Sequence, residues 1–208
     1  GIIVVYDFAT GQERAIDTGV SVSDDLAASP DGRRLLFGDS GWTEHEQFGQ
    51  VHKGCLHLLD MDTGEDTILD CEAPGGIYSV DFSPNEPAFA AEIGTFDISV
   101  LTFYASPTAI PNTDREICCR DLDFAPNGTG MVTVEEVDLL REYQLNYYER
   151  PDEKPTTLLF TDKLLTDPDI SPNGDRLLYS HDGTIEIMSL PTRARTPVVA
   201  GLGPAWRP

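Results

Sequence analysis

Lysine is scarce: it occurs three times, at Lys53, Lys154 and Lys163, against eleven arginines. Together 14 basic residues face 36 acidic ones, a formal charge of −22. Phosphate backbones are held by clustered Lys and Arg, so this balance argues against a nucleic-acid partner. It argues equally against docking on anionic lipid. No apolar run approaches the ~20 residues of a membrane span, so membrane insertion is not expected. No leader with a basic start and an apolar centre is visible, because a strand pattern already begins at Ile2. Apolar residues at helical spacing are missing as well. What is present is a chain of 208 residues with 40% hydrophobic content, enough for a packed core. That length suits one large domain or two small ones. The excess of carboxylates reads first as a means of solubility, and second as a specific acidic surface.

One short pattern recurs: Ala28-Ser29-Pro30-Asp31-Gly32, Phe82-Ser83-Pro84-Asn85, Phe124-Ala125-Pro126-Asn127-Gly128 and Ile170-Ser171-Pro172-Asn173-Gly174, with a partial copy in Trp206-Arg207-Pro208. The unit is roughly forty residues, the size of a propeller blade. Proline presets the first corner of a tight turn, Asp or Asn tolerates the next position, and Gly accepts positive φ. Apolar alternation on both sides makes each copy a β-hairpin. A second hairpin repeats out of phase, as in Gly1 to Gly11, Gly54 to Gly64 and Gly183 to Thr192. Two hairpins per unit give a four-stranded meander.

These turns resemble the WD40-like β-propeller repeats of the TolB type, whose mark is an aromatic-Ser-Pro-Asp-Gly turn. The Trp-Asp signature of true WD40 repeats is absent. The expectation is an all-β propeller with whole blades at about 24–72, 76–111, 118–162 and 165–200. A partial blade would combine two strands within 1–18 with a lone strand at 203–208. That count leaves an open edge, a liability that propellers normally remove. Three accounts are open: a piece of a longer propeller, a five-bladed ring with one imperfect blade, or a gap filled by a second chain. The resemblance implies protein partners in the bacterial cell envelope without naming them.

Candidate sites follow from residue types. The stretch 38–53 is the longest connection and carries Trp42, Glu44, His45, Phe48 and His52, a candidate partner-binding loop. Glu44, His45 and His52 match no metal-ligand spacing. Asp81, Asp123 and Asp169 each stand three residues before a motif proline. Repeated carboxylates on an innermost strand are candidate oxygen ligands for a cation, or acceptors for backbone N–H groups of turns and neighbouring blades. Gly38-Asp39-Ser40-Gly41 matches the nucleophile motif of chymotrypsin-type proteases, but no base or oxyanion hole accompanies it. Asp60 to Asp66 departs from the EF-hand pattern and reads as a hairpin turn. His57 and His181 stand alone and read as structural. Cys118 and Cys119 are adjacent and point to opposite sides of a strand.

Cys55 and Cys71 bracket one hairpin whose midpoint is Thr63, so they fall opposite each other and are expected to form a disulfide. Such a bond implies an oxidising, extracytoplasmic compartment: periplasmic, cell-surface or secreted. The function expected is a non-catalytic binding or scaffolding module with an unidentified protein partner and no cofactor. One alternative is the gating propeller of a prolyl-oligopeptidase-like serine peptidase whose catalytic domain lies outside these residues. Another is a metal-dependent enzyme acting at the channel mouth. Fold alone does not decide among them.

Overall fold

The computed structural model describes all residues except 8, 40, 46–48, 72–74, 86, 95–98, 108–111, 117–118, 139–141, 151–152 and 207–208. The chain is all-β, built from antiparallel sheets that follow one another along the sequence. A two-stranded pair, β1 (Ile2–Asp7) and β2 (Gln12–Asp17), comes first. Next come β3 (Val22–Ala28), β4 (Arg34–Asp39), β5 (Gly41–His45), β6 (Gly49–Lys53), β7 (Leu56–Asp60) and β8 (Asp66–Asp70). They form a four-stranded sheet, β3-β4-β7-β8, and a separate hairpin, β5-β6. The second sheet holds β9 (Gly76–Phe82), β10 (Phe89–Gly94), β11 (Ser99–Tyr104) and β12 (Asn112–Glu116). The third holds β13 (Cys119–Phe124), β14 (Met131–Asp138), β15 (Glu142–Tyr148) and β16 (Thr156–Thr161). The fourth holds β17 (Leu165–Ile170), β18 (Arg176–His181), β19 (Thr184–Ser189) and β20 (Arg195–Ala200).

The repeat turns join the first two strands of each sheet, as their composition requires. In all four, the residue before the motif proline donates its N–H to the carbonyl five residues on: Ser29 to Arg34, Ser83 to Ala88, Ala125 to Gly130 and Ser171 to Arg176, at 2.8–2.9 Å. Gly32, Gly128 and Gly174 take φ of 69–73°, where a side chain is strained. Ser29 and Ser171 use their hydroxyls twice, donating to Asp31 and Asn173 and accepting from the N–H of Arg34 and Arg176. The second turn lacks this glycine, and its Ser83 hydroxyl instead donates to the Gly128 carbonyl of the next turn.

Successive sheets pack through their first strands, β3 against β9, β9 against β13 and β13 against β17. The core lies in the seams between sheets. Leu36, Leu56, Val80, Phe89 and Tyr104 fill the seam between the first and second sheets. Val134, Leu145, Leu165, Leu177 and Tyr179 fill the seam between the third and fourth. The pair β1-β2 covers the outer face of the first sheet through Ile3, which packs with Leu35, Phe37, Leu59 and Met61. Among the described residues, no helix is long and apolar enough to cross a membrane.

Three expectations about the course of the chain need correction. The fourth strand of the second sheet is Asn112–Glu116, beyond the boundary set at 111. Residues 203–206 pair with no strand among the described residues; they are tied to Asp167 and Asp169 of β17 by side-chain bonds instead. Within the expected loop at 38–53, Gly41–His45 and Gly49–Lys53 pair as two antiparallel strands. Their ladder pairs Trp42 with His52 and Glu44 with Gln50.

Candidate functional site

Three places carry polar chemistry. The first is the hairpin β5-β6, inserted between β4 and β7. Its base is narrow: a Cβ on Gly41 would stand 2.9 Å from the Lys53 carbonyl oxygen, and one on Gly54 would stand 2.7 Å from that of Asp39. Glycine at both ends therefore lets the two crossings pass close together. Trp42 is 70% exposed on this hairpin, and Glu44 is exposed beside it. His45 and His52 lie on its strands, but their side chains fall outside the described structure, as do Phe48 and Ser40.

The second place is the axis where the first strands meet. Asp25 accepts the Val80 N–H at 2.8 Å, Asp81 that of Phe124 at 2.9 Å, Asp123 that of Ile170 at 2.7 Å, and Asp169 that of Trp206 at 2.6 Å. A second tier lies one pleat away: Asp121 accepts the Asp167 N–H, and Asp167 that of Gly203, both at 3.2 Å. Each carboxylate thus ties its own innermost strand to the next one, or to the segment after β20. Asp25 escaped the sequence reading because it stands five, not three, residues before its proline. It stands at the same offset from its proline as Asp121 and Asp167 do from theirs, and that shared offset was the available signal.

These carboxylates surround a cavity of about 470 Å³ that Asp25, Asp81, Asp121, Asp123, Asp167 and Asp169 help to line. Burial pushes the carboxyls of Asp81 and Asp123 well above the usual carboxylate range. The charge of Asp81 raises Asp123 further, while the backbone N–H groups of Phe124 and Ile170 oppose the rise. Asp169 is raised by burial and held back by the Trp206 N–H. Oxygen ligands for a hard cation are present on this axis. Their Oδ2 atoms already serve the N–H groups of the neighbouring strand.

The third place lies at the start of β7. Cys55 and Cys71 form a disulfide with Cα atoms 4.3 Å apart. Beside it, the His57 ring is 2% exposed and stacks on Phe37, with centroids 4.9 Å apart. Its Nδ1 lies 2.8 Å from Asp66 Oδ2. Its Nε2 makes no hydrogen bond and stands 3.5 Å from Asp39 Oδ2. The Cys55 N–H donates to the other oxygen of Asp39. The adjacent Cys118 and the Cys119 side chain lie outside the described structure. His181 holds a carboxylate too, Glu186 at 3.0 Å.

No protein-family model matches the sequence, and no curated protein matches it. Solved structures do match its fold. The crystal structure of TolB from Acinetobacter baumannii aligns over 99% of this chain with a TM-score of 0.70 and 19% identity. The crystal structure of a nidogen/laminin complex aligns over 94% with a TM-score of 0.71 and 10% identity, covering 72% of that chain. The tricorn protease aligns over 95% with a TM-score of 0.67 and 14% identity, covering 24% of that chain. The chain spans about half the length of the Acinetobacter TolB, 51% of it. The architecture is that of a TolB-like, WD40-like β-propeller.

Proposed function

We propose that this propeller is a protein-interaction module that works outside the cytoplasm, with the β5-β6 hairpin as its contact surface. The observation that carries the reading is the exposed Trp42, held on a regular hairpin whose base is pinched by two close backbone crossings. A large aromatic presented on a supported strand is the kind of anchor that dominates protein interfaces. The complex of nidogen with laminin supports the general use of this fold between proteins. The Cys55–Cys71 disulfide supports an oxidising compartment.

The test is crosslinking in the native cells. A photoreactive residue at Trp42 or Glu44 is expected to give a discrete adduct with another protein, and one at Val199 on β20 is not. Adducts at Val199 with none at the hairpin overturn the reading.

A second reading is favoured by the tricorn alignment, in which this chain matches about a quarter, 24%, of a protease chain. Here the chain would gate a catalytic domain outside these residues. A discrete adduct from Trp42 to a hydrolase domain of the same polypeptide would support it in place of a separate partner.

A further inference from the structure

We propose that reduction of the Cys55–Cys71 disulfide converts the start of β7 into a tetrahedral site for a divalent zinc-like ion, with Asp39, Cys55, His57 and Cys71 as ligands. The inference is independent of the hairpin's role. It begins with His57. Nδ1 stands 2.8 Å from Asp66 Oδ2, an acceptor, and a singly protonated ring meets that contact with its proton on Nδ1. The Nε2 lone pair is then left facing Asp39 Oδ2, a second acceptor, 3.5 Å away with no hydrogen bond between them. In that form two acceptors face each other in a buried place, an arrangement that a proton on Nε2 or a metal ion satisfies. The Asp66–His57 contact is also the carboxylate–histidine support that metal-ligating imidazoles commonly have.

The donor set fits. Asp39, Cys55 and His57 each bring a ligand atom within 4.8 Å of the other two. Cys71 Sγ is bonded to Cys55 Sγ but lies outside that group, and it supplies a fourth once its freed side chain turns toward the other three. Zinc bonds of about 2.0–2.3 Å put tetrahedral ligands roughly 3.2–3.8 Å apart, so the cluster must contract by about an ångström. Register explains why the four meet. Cys55 lies opposite Asp39 at the end of the β4–β7 ladder, where the Asp39 N–H bonds to the Cys55 carbonyl, and Phe37 pairs with His57 one pleat on. Asp39, Cys55 and His57 therefore share one face of the sheet.

The chemistry balances. A dithiol reductant gives two electrons and two protons to the S–S bond and is itself oxidised to a disulfide. The bond breaks and leaves two thiols. The metal then displaces both thiol protons, and any proton on His57 Nε2, to solvent, while the Asp39 carboxylate binds without proton loss.

The experiment uses the full chain in a Cys118→Ser, Cys119→Ser background, so that only one cysteine pair remains. After anaerobic reduction and removal of the dithiol, cobalt(II) is titrated in. One equivalent is expected to give the ligand-field bands of tetrahedral cobalt and a thiolate-to-cobalt charge-transfer band, both abolished by one equivalent of zinc. The oxidised protein is expected to give neither. Asp39→Asn, which keeps an acceptor for the Cys55 N–H, is expected to weaken the affinity by about tenfold or more. His57→Gln is expected to do the same. The proposal is overturned if the reduced protein gives only octahedral cobalt spectra. It is equally overturned if Asp39→Asn binds as tightly as its parent, which needs no result from a His57 variant that fails to fold.

Discussion

Along the axis, neighbouring sheets are tied by carboxylates that accept backbone N–H groups, while the outer strands are tied mainly within their own sheet, with longer side-chain bonds from Tyr104 to Asp70 and from Arg193 to the Thr157 carbonyl between sheets. Val80, Phe124 and Ile170 have buried side chains, and their N–H groups sit where water competes poorly. The strand β20 is exposed along its whole length. The two outer hairpins then differ from each other: β7-β8 is closed by Cys55–Cys71, and β19-β20 by a single bond from the Gly201 N–H to the Gly183 carbonyl at 2.9 Å. The axis binds sheet to sheet at the expense of crowding negative charge. The rim relies on local closure.

The largest test of this contrast removes the covalent closure. Replacing both Cys55 and Cys71 by Ala should cost about 3 kcal/mol on the chain-entropy account for a loop of this length. Urea unfolding measures it. Amide exchange should show the loss first in β8, and exchange that rises equally in β9 and β13 would show that the rim and the axis are not separate.

Next in size is a link on the axis. Asp25→Ala leaves the Val80 N–H unpartnered in a buried seam and should cost about 1–3 kcal/mol. Asp25→Asn keeps an acceptor and should cost less than half of that. Equal losses from the two variants would mean that the hydrogen bond is not what matters there.

The pH dependence of stability separates the regions in sign. Asp81 and Asp123 have raised pKa values in the folded chain. The native state therefore binds more protons than the unfolded chain between the ordinary aspartate range, about pH 4, and neutrality. Stability should fall as pH rises through that window and level off above it. The exposed turn carboxylates Asp7, Asp31 and Asp60 are lowered, chiefly by backbone N–H groups of the turns. Their contribution is present above about pH 4 and lost only below it, so the two sets do not overlap. Asp123→Asn should therefore gain more stability at about pH 8 than at about pH 5, read from unfolding midpoints. A gain of the same size at both values would assign the effect to packing.

How much of this the residues announced follows from what repeats. The prolines at 30, 84, 126 and 172 fixed the four turns, because turn chemistry is local and each copy carries its own. The partner of Asp81 is Phe124, 43 positions on, and that link is tertiary, so the sequence offered Asp81, Asp123 and Asp169 as carboxylates with two readings. The hairpin β5-β6 was hidden by its polar composition, although Trp42-Thr43 and Val51-His52 are symmetric about Gln47. The disulfide came from a simplified register. The turn itself pairs Leu59 with Asp66, which would set Cys55 against a different residue; a bulge between Leu56 and His57 restores the pairing of Leu56 with Asp70. His57 stood alone in the sequence, because Asp39 and Asp66 reach it only through the pairing of three strands.

The smallest expected effect concerns matched positions on the two outer strands. Ile68 on β8 is 57% exposed and Val199 on β20 is 56% exposed. Threonine keeps the branching at Cβ that suits a strand, so the backbone preference is retained. What changes is a side chain already in water, and substitutions of that kind usually stay within about 0.5 kcal/mol. Ile68→Thr and Val199→Thr should therefore give nearly the same unfolding midpoint as the parent. Because a disulfide closes one hairpin and a backbone bond the other, equality of the two variants would show that covalent closure adds stability to β7-β8 without making its surface residues more important. A loss above about 1 kcal/mol at Val199 alone would need burial that β20 does not have within this chain, since a loss of that size reflects contacts removed from a packed position. It would place a covering surface on that strand and break the contrast between a bonded axis and an independent rim.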